Sequence, residues 1–183
     1  MILTKEYLKT AEKDINNLSK IDKGYWQGSR YEILKKFCDG AAKILSVGCG
    51  PREPTIINAT HAVDITPLSE FHLRSLGWRG FFYESSCTAL PFENKSFDVV
   101  ICSEVIEHLP TTDDVIKTFH EVSRVGRKWI ITTPNSAVID PRHQNFSHKQ
   151  FFILETIKKI IPPEILPELK IYTNDYHIYM EKI

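Results

Sequence analysis

At 183 residues the chain is long enough to bury a substantial core and short for two, so one domain over 1–183 is expected. Its 42% hydrophobic and 25% charged content is that of an ordinary globular protein. Its 23 basic and 23 acidic residues cancel, which removes any global pull toward nucleic acid or an anionic membrane.

Residues 3–18 place Leu3, Tyr7, Leu8, Ala11, Ile15 and Leu18 at helical spacing and carry charge throughout, unlike a signal peptide. No apolar run in the chain approaches the roughly 20 residues of a bilayer span. Residues 21–30 read as a loop, and 31–38 as a second helix stopped by Asp39-Gly40. The pattern then changes. Short apolar runs at 43–47, 61–65, 80–84, 97–102 and 128–133 read as buried strands. Between the second and third, Leu68, Phe71, Leu73, Leu76 and Trp78 fit a helix. Between the fourth and fifth, Val115, Ile116, Phe119 and Val122 form an apolar stripe behind a Thr/Asp cluster at 111–114 suited to a cap. Strands alternating with helices imply a mostly parallel sheet covered on both faces, a Rossmann-like α/β sandwich of three layers. The tail departs from this rhythm. Ser147 to Gln150 has the form of a capping box, with Phe151, Leu154, Ile157 and Ile161 on one face of the helix behind it. After Pro162-Pro163, segments 169–173 and 176–180 are joined so tightly, through Asn174-Asp175, that they can pair only as an antiparallel hairpin. Seven strands are therefore expected. The parts are 1–40, an N-terminal helical segment placed as a lid, 41–135, a ligand-binding core, and 136–183, a substrate-side loop, helix and hairpin.

Two features carry chemistry. Gly48-Cys49-Gly50 ends the first strand, where absent β-carbons let backbone approach a ligand and a following helix could aim its amides at it. Asp64 ends the second strand, placed to accept hydrogen bonds from both hydroxyls of a ribose or to cap the next helix. The cysteines Cys38, Cys49, Cys87 and Cys102 show no CxxC and no close pairing, which suggests reduced thiols in a cytoplasmic protein, and no metal site is expected.

Four segments, Leu45 to Pro51, Ala62 to Asp64, Leu90 to Val100 and Ser103 to Leu109, together resemble the ordered motifs of small class I S-adenosylmethionine-dependent methyltransferases, in particular the ubiquinone-biosynthesis-like (methyltransferase type 11) subfamily. The likeness spans about 43–135, and the antiparallel hairpin agrees with that family's sheet. It implies S-adenosylmethionine as cofactor and S-adenosylhomocysteine as product. Gly48, Cys49 and Gly50 would line the methionine and ribose, and Asp64, with Ile65 beside it, would hold the ribose. Ser86 and Cys87 would contact adenine, and Ser103, Glu104 and His108 would form the floor near the sulfonium. His108 and His143 are the candidate bases, should the acceptor need to lose a proton. Tyr25 and Trp26 could close over the cofactor as a lid and Arg30 could meet a carboxylate; the alternative is helix-to-core packing with Arg30 at the surface. The basic cluster of Arg124, Arg127 and Lys128 is expected to be a solvated edge.

The chain departs from the family at Ser46, where an acid is usual, at Arg52, where a third glycine is usual, and at Ser86, where an aspartate is usual. The stretch from Gly50 to His61 leaves room for a first crossover helix of at most two turns. These departures support a rival reading, a degenerate binding module without catalysis. A nicotinamide oxidoreductase is disfavoured by the missing third glycine and the hairpin. The expected acceptor is a small molecule, with nucleic acid not favoured and oligomeric state open.

Overall fold

The computed structural model describes residues 25–139, 147–174 and 176–183, the first five by backbone alone. The helix expected over 3–18 lies outside them, as do the side chains of Tyr25 and Trp26. Seven strands form one sheet: β1 (Ile44–Val47), β2 (His61–Asp64), β3 (Phe81–Glu84), β4 (Phe97–Ser103), β5 (Gly126–Pro134), β6 (Lys170–Thr173) and β7 (His177–Lys182). Their order is β3-β2-β1-β4-β5-β7-β6. The first five pair in parallel, and β7 runs antiparallel to both β5 and β6. This is the expected Rossmann-like sandwich closed by a hairpin.

Helices α1 (Tyr25–Phe37), α2 (Glu53–Ile56), α3 (Pro67–Ser75), α4 (Thr112–Val125) and α5 (Leu154–Ile160) complete the layers. Alternation along the buried strands sends Leu45, Val47, Val100, Trp129 and Ile131 to one face, where they meet Val115, Phe119 and Val122 of α4 and Ile157 of α5. Ile44, Val99, Ile101 and Ile130 point the other way, against Leu34 and Cys38 of α1. On β2, Ala62 packs with Leu73 of α3 and Trp78. Among the described residues no helix is long and apolar enough to cross a membrane.

Three local expectations are corrected. Helix α1 begins at Tyr25, inside the stretch read as a loop, and its second half, through Leu34 and Cys38 just after it, packs on the sheet. The box at Ser147 to Gln150 does not open a helix, because tertiary partners claim its side chains. The Ser147 hydroxyl lies 3.1 Å from His108 Nδ1, and Gln150 Nε2 donates to the carbonyls of Leu109 and Thr111, both at 3.0 Å. Helix α5 starts after Ile153, whose N–H donates to Thr156 Oγ1 at 3.1 Å. The hairpin turn is built by Asn174, whose Oδ1 accepts from the amides of Tyr176 and His177.

Arg124 is the third correction. It is no solvated edge: its guanidinium donates to Glu121, to Asn94 Oδ1 and to the carbonyls of Leu90 and Phe92, while Glu121 accepts from the Leu90 amide at 2.6 Å. The pair thus fastens the turn before β4 onto α4. Arg124→Ala is expected to lower stability by about 1–2 kcal/mol in urea unfolding. Arg127→Ala, at an exposed neighbour, should stay within about 0.5 kcal/mol; equal effects of the two would contradict the fastening role.

Candidate active site

The carboxyl ends of the parallel strands, where sheets of this type bind ligands, gather most of the expected site residues. Gly48 and Gly50 follow β1 in left-handed backbone, at φ 61° and 55°. They need glycine for different reasons. A β-carbon on Gly48 would lie 2.5 Å from a methyl of Val105, whereas one on Gly50 would meet nothing within 4 Å. Gly48 is therefore set by packing against the loop after β4, and Gly50 leaves open space beside its backbone. Cys49, between them, is buried, its Sγ 3.9 Å from Asp64 Oδ2.

Asp64 ties the glycine turn to β2. Its Oδ2 accepts from the Gly50 amide at 2.9 Å and its Oδ1 from the Thr66 amide at 3.1 Å. The cap of α3 is Thr66 itself, through its hydroxyl on the Leu68 amide. Burial raises the Asp64 carboxyl from its ordinary pKa, against the pull of donors at Thr66, Gly50, Ser69 and Ile65. Ile65 is 57% exposed beside it. Helix α2 is a single turn, in line with the short crossover expected, and offers no long array of amides.

Ser86 lies in the turn after β3, with its hydroxyl 2.8 Å from that of Thr88. The Cys87 side chain instead enters the core, where Thr118 Oγ1 donates to its sulfur at 3.4 Å. A contact to a ligand at Cys87 would thus fall to backbone. At the end of β4, the Thr132 hydroxyl lies 3.0 Å from both Ser103 Oγ and Glu104 Oε1, so its one proton is shared between them. Glu104 has φ 59°, which costs a non-glycine residue about 1–3 kcal/mol and persists only where its surroundings enforce it. They do so here: the Glu104 amide donates to the Thr132 carbonyl at 3.0 Å, and its carboxylate lies 3.3 Å from Arg30 and 3.5 Å from His177. Burial alone would raise the Glu104 carboxyl, but Arg30 and His177 outweigh it and hold the group well below the usual carboxylate range.

Several participants were not legible in the sequence. Arg30, read as a lid or surface residue, is 5% exposed and joins α1 to Glu104. Glu53 opens α2 and is 5% exposed, with Ser46 Oγ donating to its Oε1 at 2.8 Å. A carboxyl therefore stands beside Ser46, although Ser46 itself departs from the acid expected there. Glu107 is buried, with Thr133 Oγ1 donating to its Oε2 at 3.2 Å. His108, beside it, is lowered in pKa by burial, which favours the neutral ring. His143 lies outside the described residues.

Residues 45–129 match a family model described as a methyltransferase domain. A protein of Mycolicibacterium smegmatis named as a probable S-adenosylmethionine-dependent methyltransferase is 27% identical over 140 residues, 72% of this chain and 53% of that protein. The chain thus spans about half the length of the curated relative it matches. Among solved structures, an S-adenosylmethionine-dependent methyltransferase of Clostridium acetobutylicum superposes with a TM-score of 0.65 at 17% identity, over 96% of this chain and 97% of that one. The 1,6-didemethyltoxoflavin-N1-methyltransferase of Burkholderia thailandensis, solved with bound 1,6-didemethyltoxoflavin and S-adenosylhomocysteine, gives a TM-score of 0.62 at 14% identity, over 96% of this chain and 88% of that one. At these identities the superpositions speak to fold.

Glu53 generates a pH-dependent prediction. Burial raises its carboxyl from 4.5 to about 7, against Arg30 and the Ser46 and Ser103 hydroxyls, with Glu104 adding to the rise. The folded state therefore holds this proton more tightly than the unfolded chain. The stability it contributes is complete below the unfolded value of 4.5 and is lost as pH rises toward 7. Glu53→Gln should flatten that loss by on the order of 2 kcal/mol between pH 5 and 8 in urea titrations. An unchanged slope would show that Glu53 is ionised in the fold.

Proposed function

We propose an activity for this chain from the family to which it belongs, the class I S-adenosylmethionine-dependent methyltransferases: transfer of the sulfonium methyl to a small-molecule acceptor by in-line displacement. The observation that carries the reading is Gly50. Its backbone faces open space while its amide is held by Asp64 at the end of the neighbouring strand, a cradle that a β-carbon would fill.

The residues present fit the cofactor. Asp64, held by the Gly50 and Thr66 amides with Ser69 and Ile65 beside it, keeps its carboxylate at the end of β2, where a ribose would lie. Ile65 adds exposed apolar surface beside them, and Ser86 offers a neutral hydroxyl toward the adenine amine. Arg30, Glu53 and Glu104 bring one cation and two carboxyls to the end nearest the glycine turn, chemistry matched to the ammonium and carboxylate of an amino acid. When bound, the cofactor supplies an electrophilic methyl on a cationic sulfur. The protein's contribution is then to align the acceptor with that methyl and to exclude water. Ser103 and Glu104, fixed by Thr132 across the β4–β5 pair, form the rigid floor for that alignment. His108, half-buried and favoured as the neutral ring, stands on the acceptor side.

A balanced net charge favours a small acceptor over a nucleic-acid strand. All four cysteines are buried and unbridged, which suits a reducing, cytosolic compartment. We take residues 1–183 as one catalytic domain. A degenerate, non-catalytic module has no support beyond the departures at Ser46, Arg52 and Ser86, and the first of these has a carboxyl beside it in Glu53.

Calorimetric titration of the folded chain with S-adenosylmethionine and S-adenosylhomocysteine should give micromolar affinity. Asp64→Asn should weaken it about 10- to 100-fold through loss of charge-assisted hydrogen bonds. Absence of binding by the intact, folded protein would overturn the assignment. Given binding, methyl transfer to an RNA oligonucleotide and to no small molecule would overturn the acceptor class.

A further inference from the structure

Beside the residues assigned to the cofactor, the loop after β4 meets the segment that leads into α5. The amides of Lys149 and Gln150 donate to the Glu107 carbonyl at 2.7 and 3.0 Å, so the backbone itself fixes His148 against Glu107 and His108. The rings of His108 and His148 pack edge to face with centroids 4.7 Å apart. One ligand atom from each of Glu107, His108 and His148 lies within 4.8 Å of the others.

We propose that Glu107, His108 and His148 bind a divalent transition-metal ion, with its remaining coordination positions open to water or to an acceptor's oxygen. Two imidazoles and one carboxylate are a donor set for zinc, cobalt, iron or manganese, the proton that burial favours on Glu107 being released as the ion binds. Each donor near Glu107 is already aimed. Thr133 Oγ1 occupies Glu107 Oε2, while Oε1 is buried and makes no hydrogen bond. Leaving such an oxygen unmet costs about 1–3 kcal/mol, and a cation removes that cost. Ser147 Oγ lies at His108 Nδ1, which leaves Nε2 as the nitrogen turned toward Glu107 Oε1, at 3.9 Å. A hydroxyl on one ring nitrogen and the free face of the other toward a carboxylate is the outer support that metal-binding histidines use. A simple Glu–His hydrogen bond does not explain the geometry, since 3.9 Å exceeds hydrogen-bond length.

Ligand atoms around such an ion stand about 2.0–2.2 Å from it. A small inward rotation of the imidazoles closes the set, and His108, with 37% of its side chain exposed, has room to make it. In this arrangement His108 is a ligand and not a general base. The expectation of no metal came from cysteine spacing, which says nothing about a Glu-His pair and a histidine distant in sequence.

The test needs neither cofactor nor acceptor, so its failure leaves the methyl-transfer reading standing. Tag-free full-length chain, stripped with chelator, is titrated with Co2+ by visible absorption and with Zn2+ by calorimetry. The expected result is one ion per chain with ligand-field bands and a Kd of about 10 µM or tighter. Glu107→Gln and His148→Ala should each weaken binding at least about tenfold. His120→Ala, at a surface histidine facing Glu164, should leave it unchanged. Should the buried Glu107 variant fail to fold, the half-buried His148 variant carries the test. No ligand-field absorption, or an affinity that His148→Ala does not move, overturns the site.

Discussion

Carboxyl groups taken out of water must be compensated from within, and at the carboxyl end of this sheet three glutamates impose that demand together. Each is met differently. Glu104 stays ionised, and its charge draws Arg30 from α1, His177 from β7 and Thr132 from β5 to a single point. Glu53 is relieved by taking up a proton more readily, with Ser46 donating to it. Glu107 is satisfied at one oxygen only. Removing one partner of a buried ion pair costs far more than the pair contributes, so the placement of α1 and of the final strand depends on Glu104 being where it is.

The consequence is a division of labour between neighbouring residues. Gly48 and Gly50 share a backbone conformation, yet one yields to Val105 and the other faces open space. Glu104 and Glu107 share a loop, yet opposite electrostatic surroundings separate them. Arg30 keeps the first charged, while burial and the charge of Glu104 push the second well above its ordinary pKa. Strain accumulates at the same place: the left-handed backbone at Glu104 survives because strand, helix and hairpin all hold it. Strain of this kind is kept where a side chain must be aimed at a ligand more than where it must only pack.

The sheet was legible because buried parallel strands are written as short apolar runs, and those runs carry their own boundaries in Gly, Asp and Thr. Gly50 and Asp64 were legible for the same reason, each sitting where a run ends. Glu53 was not. It follows a proline and an arginine in an unremarkable turn, and its meaning arises only when β1 brings Ser46 against it. Arg30 was placed at the end of a loop, and its partner could not be read locally because Glu104 lies in a strand loop far along the chain. The Ser147 box shows the reverse error. Its local cap signal is genuine, but His108 and the Leu109 and Thr111 carbonyls compete for the same side chains and win. Local patterns therefore located backbone turns well and the destinations of polar side chains poorly.

The position of β7 has a consequence for synthesis. It is made after both of the strands between which it lies, and it pairs Lys182 with Trp129 and Glu181 with Lys170. While the chain emerges from the ribosome, the outer edge of β5 carries the unpaired amides and carbonyls of a hydrophobic strand until residues 177–182 appear. That interval is the stretch of the protein's life in which edge-to-edge association with another nascent chain competes with correct insertion. In the finished fold that edge is closed, with Trp129 to Pro134 paired against β7.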